Sequence, residues 1–361
     1  MTANGQLNEE DTDPDRYTTK QAQSGRSVAR GPRSVNECAA VADGRACPAP
    51  GGAPIVQSVQ AARVPAAESR CVLCSGSNRR RLFMKRGWTF VRCAGCGLIS
   101  VRPLPTAEAL RAHVEQSYQD STYAVYAAAE AIRAGIARHR MEIVAPMAPP
   151  GPWLEVGCAT GALLAAARRA GFNAEGLDVS AFSVARARAE GLIVHHRAVE
   201  DFVPMQRYAV VAAFDVIEHL PDPIAFVERV GTWLEPGGLF VLTLPNAASA
   251  LAVLMGRFWF QYWVPDHVHY FAPTTIGRLL AHGGFERVAT RSARKALTLN
   301  YAVERLRVSN PRQARLLSVI MPVVPRRLRM RAWPVPVGEM LVTAWRRAAA
   351  PARDAPSGRR A

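Results

Sequence analysis

Along residues 1–68 apolar positions recur with neither a 3.6-residue nor a 2-residue period. The segment is rich in Ala, Gly, Pro, Ser, Arg and Gln, and so little apolar surface cannot repay the entropy of ordering, so disorder is expected there. The texture changes at Cys71, where a compact cysteine-bearing unit begins and runs to Pro105. A helical stretch over residues 106–144 follows and leads into the main domain. From Trp153 short apolar runs alternate with helical segments: residues 153–156, 174–177, 193–195, 209–213 and 239–244 read as strands, and 162–170, 181–189 and 224–233 as helices. Connections this short between alternating elements imply a parallel sheet covered on both faces, an α/β fold. Beyond it, residues 274–283 read as a helix, 285–290 as a strand and 339–345 as a last strand, after a basic, proline-broken stretch over 300–336. The expected divisions are therefore 1–68, 69–105, 106–150, 151–295 and 296–361.

A length of 361 residues with 49% hydrophobic content allows one sizeable core plus a minor module. Apolar runs stop short of a membrane span, because Pro245 and Asn246 break one and Pro322 and Pro325 the other. The first residues are acidic and polar, unlike a signal peptide, and a cytoplasmic location is expected. The net charge of +16 raises nucleic acid as a partner, but the arginines are scattered and lack interleaved aromatics, which argues against it. The run 316–324, flanked by Arg326, Arg327 and Arg329, fits a membrane-surface contact, a cover over substrate or a plain packed insertion.

Cys71-x2-Cys74 and Cys93-x2-Cys96, with residues 75–92 between them, have the spacing of two thiolate knuckles converging on one tetrahedral Zn²⁺. Four thiolates leave no open position, so the ion would be structural; two disulfides or a redox pair are the competing readings. Cys38 and Cys47 lack neighbours at ligand spacing and read as incidental thiols.

Glu155-Val156-Gly157-Cys158-Ala159-Thr160-Gly161 joins a strand to a helix through a small-residue turn. Its glycines let a ligand approach the backbone at the carboxyl end of the first strand, and Glu155 suits a cationic aminoacyl end better than a pyrophosphate. The next strand ends in Asp178, placed to take both hydroxyls of a ribose; the plain alternative is a helix cap.

These features, followed by Asp215-Val216-Ile217-Glu218-His219-Leu220-Pro221-Asp222-Pro223, then Pro236-Gly237-Gly238 and Leu244-Pro245-Asn246, resemble the class I S-adenosylmethionine (SAM)-dependent methyltransferases over residues 70–295. The branch most resembled contains the ubiquinone-biosynthesis O-methyltransferases and relatives bearing an N-terminal zinc ribbon. The resemblance implies a Rossmann-like, seven-stranded methyltransferase sheet. It also implies that Glu155, Gly157, Ala159 and Gly161 hold the methionine part of SAM, that Asp178 holds the ribose and Glu200 or Asp201 the adenine amine, and that Asp215 borders the sulfonium and substrate. Ala159, Ala198 and Ala209 depart from the family pattern, the first at the turn's middle glycine.

His219 is the candidate base for a transfer that otherwise rests on alignment, unless it only orients its loop. Asp215, Glu218 and His219, spaced i, i+3, i+4, would share a helical face and are a candidate Mg²⁺ site; capping acids beside a histidine are the plainer alternative. His267, His269 and Trp263 are candidate substrate residues, a structural histidine bonded to a neighbouring loop being the alternative for the first two, with residues 258–263 an aromatic wall for an aromatic, lipid-like or sugar acceptor, or simply core. A binding protein on a degenerate methyltransferase fold and a nicotinamide-dependent oxidoreductase are the competing functions.

Overall fold

The computed structural model describes residues 70–119, 130–300, 303, 311–331 and 333–347. The disorder expected over 1–68, with Cys38 and Cys47, lies outside the described residues.

Two sheets organise the chain. The larger has seven strands in the order β10-β11-β8-β7-β4-β5-β6: β4 (Pro152–Val156), β5 (Asn173–Asp178), β6 (Val194–His196), β7 (Tyr208–Phe214), β8 (Leu234–Pro245), β10 (Phe285–Leu297) and β11 (Trp333–Arg346). β4 to β8 pair parallel, and β11 enters antiparallel between β8 and β10. This is the expected Rossmann-like α/β sheet. Its central strand β7, Tyr-Ala-Val-Val-Ala-Ala-Phe, is buried along its whole length, as a strand covered on both faces requires. Between strands run α3 (Ala162–Arg169), α4 (Ala181–Ala189), α5 (Pro223–Trp233) and α7 (Pro273–His282). Ser180 caps α4 by accepting from the Ser183 amide, and Asp222 caps α5 with Pro223 in the first turn.

The second sheet belongs to the cysteine unit: β1 (Arg79–Lys85), β2 (Trp88–Cys93) and β3 (Ile99–Arg102), completed by β9 (His269–Tyr270) from far along the chain. Ile99 pairs with Tyr270 and Ser100 with His269. Trp88, Phe90, Val101, Trp259, Tyr262 and Tyr270 form a buried core between the unit and the main domain.

The helical stretch expected over 106–144 is found where it is described, as α1 (Ala107–Gln119) and α2 (Glu130–Val144); residues 120–129 lie outside the described residues. Three other readings change or narrow. β10 and β11 run further than their apolar cores suggest, because they pair with each other from Phe285↔Arg346 to Leu297↔Trp333. The final strand is therefore integral to the main sheet, and the division expected at 295/296 falls inside β10. The aromatic wall over 258–263 is in part core: Trp259 is 0% and Tyr262 7% exposed, packed on Trp88 and Phe90.

Candidate active site

The turn after β4 is built from left-handed backbone: Gly157 has φ 69°, Ala159 47° and Gly161 83°. At Gly157 a Cβ would run into Val216, so glycine is demanded there by space as well as by φ. Asp178, at the end of β5, is tied to this turn, its Oδ2 accepting from the Ala159 amide at 2.8 Å and its Oδ1 from the Ser180 amide at 2.9 Å. Burial raises the Asp178 pKa against the lowering effect of those amides. Glu155 is 5% exposed; burial pushes its carboxyl up to about 8 although Arg140 opposes the shift, and its Oε2 has no hydrogen-bond partner. Glu200 and Asp201 stand exposed on a 3-10 turn (Val199–Asp201), with Glu200 Oε2 3.6 Å from Arg111.

Asp215 follows β7 at φ 58°, and its carboxylate is clamped: Arg140 Nη2 donates to Oδ2 at 2.7 Å and Thr243 Oγ1 to Oδ1 at 3.0 Å. The helical face expected for Asp215, Glu218 and His219 does not form, because the left-handed Asp215 and the non-helical Val216 precede a 3-10 turn that starts only at Ile217. His267 takes the place of Asp215. One ligand-type atom each from Glu218, His219 and His267 lies within 4.8 Å of the others. The two imidazoles meet edge to face, centroids 4.8 Å apart, and each spends Nδ1 on a backbone carbonyl: His219 on Asp266 at 2.9 Å and His267 on Gln261 at 2.9 Å. Burial lowers both pKa values, that of His267 to about 3.

His269 does not join them. Its ring is fully buried, with Nδ1 on Ser100 Oγ at 2.9 Å and Nε2 on the Pro221 carbonyl at 3.2 Å, which leaves no nitrogen for a substrate. It is a seam residue between the sheets. Trp263 is half-buried, with the Arg86 guanidinium 5.3 Å from its ring.

Helices α1 and α2 carry residues that motif reading passes over. Arg133 bonds Thr160 in the glycine turn, Glu115 accepts from the Ala181 amide at 3.1 Å, and Arg140 holds Asp215 and Thr243. The available signal is Arg133 and Arg140, two turns apart on the same stripe as Ile136 and Ala137, charges set into an apolar face. Beside Arg140 and Thr243 a cavity of about 120 Å³ opens toward Arg291 and Arg294.

In the cysteine unit, Cys71, Cys74, Cys93 and Cys96 bring their sulfurs within 4.8 Å of one another, all as free thiols. Ser75 and Gly97 take positive φ so that the chain can reverse after each pair, and the Gly76 backbone passes so close that a Cβ would lie 3.4 Å from Cys74 Sγ. Four thiols converging in this way are compatible with a thiolate metal site.

Comparison with known proteins fits this geometry. A methyltransferase-domain family profile matches residues 128–290. The ubiquinone biosynthesis O-methyltransferase of Actinobacillus pleuropneumoniae serotype 7 is 33% identical over 132 residues, 33% of this chain and 56% of that protein. Its counterpart in Bradyrhizobium sp. is 32% identical over 125 residues, 32% of this chain and 49% of that protein. The chain thus spans about half the length of these relatives. A solved SAM-dependent methyltransferase from Archaeoglobus fulgidus aligns over 62% of this chain and 99% of its own at 16% identity, with a TM-score of 0.43. The profile match thus spans the residues that hold the glycine turn, Asp178, Asp215 and the histidine cluster, and the sheet that carries them is a Rossmann-like α/β sheet.

Proposed function

We propose that the chain is a SAM-dependent methyltransferase acting at oxygen on a small-molecule, sugar or lipid-like acceptor. The observation that carries this is the pairing of the glycine turn with two buried carboxyls. Glu155 holds an unpartnered oxygen where a cationic ammonium fits, and Asp178 keeps lone pairs for ribose hydroxyls after binding two amides. Gly157, Ala159 and Gly161 carry the methionine part between them, and Glu200 or Asp201 meets the adenine amine at the rim. SAM supplies an electrophilic methyl group; the protein aligns it with the acceptor and keeps water out. Asp215, fixed by Arg140 and Thr243, borders the methyl position, and the His219 Nε2 lone pair is the group there that can receive the acceptor's proton. Trp263 and His267 border the acceptor side.

In this reading Cys71, Cys74, Cys93 and Cys96 hold a structural Zn²⁺. The exposed side chains Leu316, Val319, Ile320 and Val323, followed in sequence by Arg326, Arg327 and Arg329, rest on an anionic lipid surface.

Calorimetric titration of SAM tests the central claim, with NAD as the control. The wild type is expected to bind SAM and not NAD, and Asp178→Ala to weaken SAM by about 10- to 100-fold, the loss of charge-assisted hydrogen bonds. A folded wild type that ignores SAM would sink it.

A further inference from the structure

The expected Mg²⁺ does not fit the residues present. A hard ion of that size demands near-octahedral oxygen donors, yet the Asp215 carboxylate is committed to Arg140 and Thr243, and what converges instead is one carboxylate and two imidazoles. From that donor set we infer that Glu218, His219 and His267 bind one divalent ion of the borderline transition series, of the class of Zn²⁺, Co²⁺ or Ni²⁺.

Three features of the cluster argue for it. The donors come from two loops far apart in sequence, the turn after β7 and the segment before β9, and their ligand atoms lie within 4.8 Å of one another. Bonds of roughly 2.0–2.2 Å to a tetrahedral ion set its donors about 3.3–3.6 Å apart, so the two loops would have to draw in by up to about 1.5 Å as the ion binds. Each imidazole donates its Nδ1 hydrogen to a backbone carbonyl, Asp266 for one ring and Gln261 for the other, which fixes the tautomer with the lone pair on Nε2. Such outer bonds are the usual mark of a ligating histidine, because they aim the ring and raise its basicity. The loops are also held together without the ion: the Val268 amide donates to the Glu218 carbonyl at 2.8 Å, so the site is built before an ion arrives. Two imidazoles and a carboxylate are the donors that suit such ions, and three protein ligands leave coordination positions open.

The inference deepens the methyltransferase reading. A proton and the ion compete for the same His219 lone pair, so with the ion bound the acceptor would be held as its oxyanion, its proton having been lost to solvent on binding, and His219 would serve as a ligand and not as the base.

Cobalt titration of the metal-free full chain, followed by absorption spectroscopy, decides the matter. Two equivalents are expected: one giving the intense thiolate charge-transfer band of the four-cysteine site, the other only weak ligand-field bands, not displaced by a large excess of Mg²⁺. His267→Gln and Glu218→Gln should each remove the second signal and leave the thiolate band intact. A wild type that saturates at the thiolate signal alone overturns the proposal, and so does a second signal that survives both substitutions; if the variants fail to fold, the wild-type titration decides. SAM titration of the same samples separates the claims: no SAM binding with two ions bound sinks the methyltransferase reading only, and SAM binding with one ion sinks the metal site only.

Discussion

Asp215 has a φ of 58°, a conformation that costs a residue with a Cβ about 1–2 kcal/mol, and it stays there because Arg140 and Thr243 grip both carboxylate oxygens. That reset of the backbone explains where residue-level reading went astray. An i, i+3, i+4 spacing presumes continuous helix, and one left-handed residue rotates Asp215 off the face and lets His267 in. The places of Gly157, Gly161 and Asp178 in and beside the turn were legible because they are local to one strand-turn-helix unit. Arg140 was not, since nothing near it in sequence says that α2 will bring its guanidinium to Asp215 and Thr243. For the same reason the sequence leaves His269 open between a substrate role and a loop-bonding one; the structure shows the second, and its burial has a measurable consequence. Burial lowers its pKa from 6.5 to about 4, so below pH 6.5 the unfolded chain binds a proton that the folded chain refuses. Stability is then full above pH 6.5 and falls as pH drops toward 4, by about 1.4 kcal/mol per unit from this residue. Urea unfolding midpoints should fall between pH 6.5 and 5, and His269→Gln should flatten that slope; an unchanged slope would remove His269 as its source.

The parallel strands and their helices announced themselves through buried apolar runs, and each lies within a few residues of its expected place. The antiparallel strands β10 and β11 were read over 285–290 and 339–345 only; their extensions to Leu297 and Trp333 were not, because there the two strands are held by backbone pairing with each other, which leaves little apolar pattern to read. The 300–336 stretch includes α8 (Pro311–Ile320) and α9 (Arg326–Met330), where Leu316 is 71%, Val319 75% and Val323 82% exposed beside several arginines. Apolar side chains that open to water cost little to insert among lipid headgroups, while each nearby arginine adds about 1 kcal/mol on an anionic surface. Co-sedimentation should therefore show binding to vesicles containing phosphatidylserine and not to phosphatidylcholine alone. Salt should weaken it, and Arg326→Glu with Arg327→Glu should abolish it; equal binding to both vesicles would refute the electrostatic part.

Across the whole molecule, the cysteine unit is joined to the main domain by a shared aromatic core, by the β3–β9 ladder and by the Ser100–His269 bond. With the proposed Zn²⁺ in the four-cysteine site, a unit so joined should not melt by itself. Stripping metal with a strong thiol-compatible chelator is expected to lower the temperature of a single transition reported equally by near-ultraviolet and far-ultraviolet circular dichroism. Two separated transitions would mean that the ladder contributes little. The strand borrowed from residues 269–270 also bears on descent. A fragment cut after residue 105 would leave behind an orphan edge in the remainder, and a transplant of residues 70–105 into a relative would arrive without its fourth strand. The cysteine unit and the Asp266–Phe271 segment are thus a single heritable part written in two places, and lineages should gain, lose or rewrite them together.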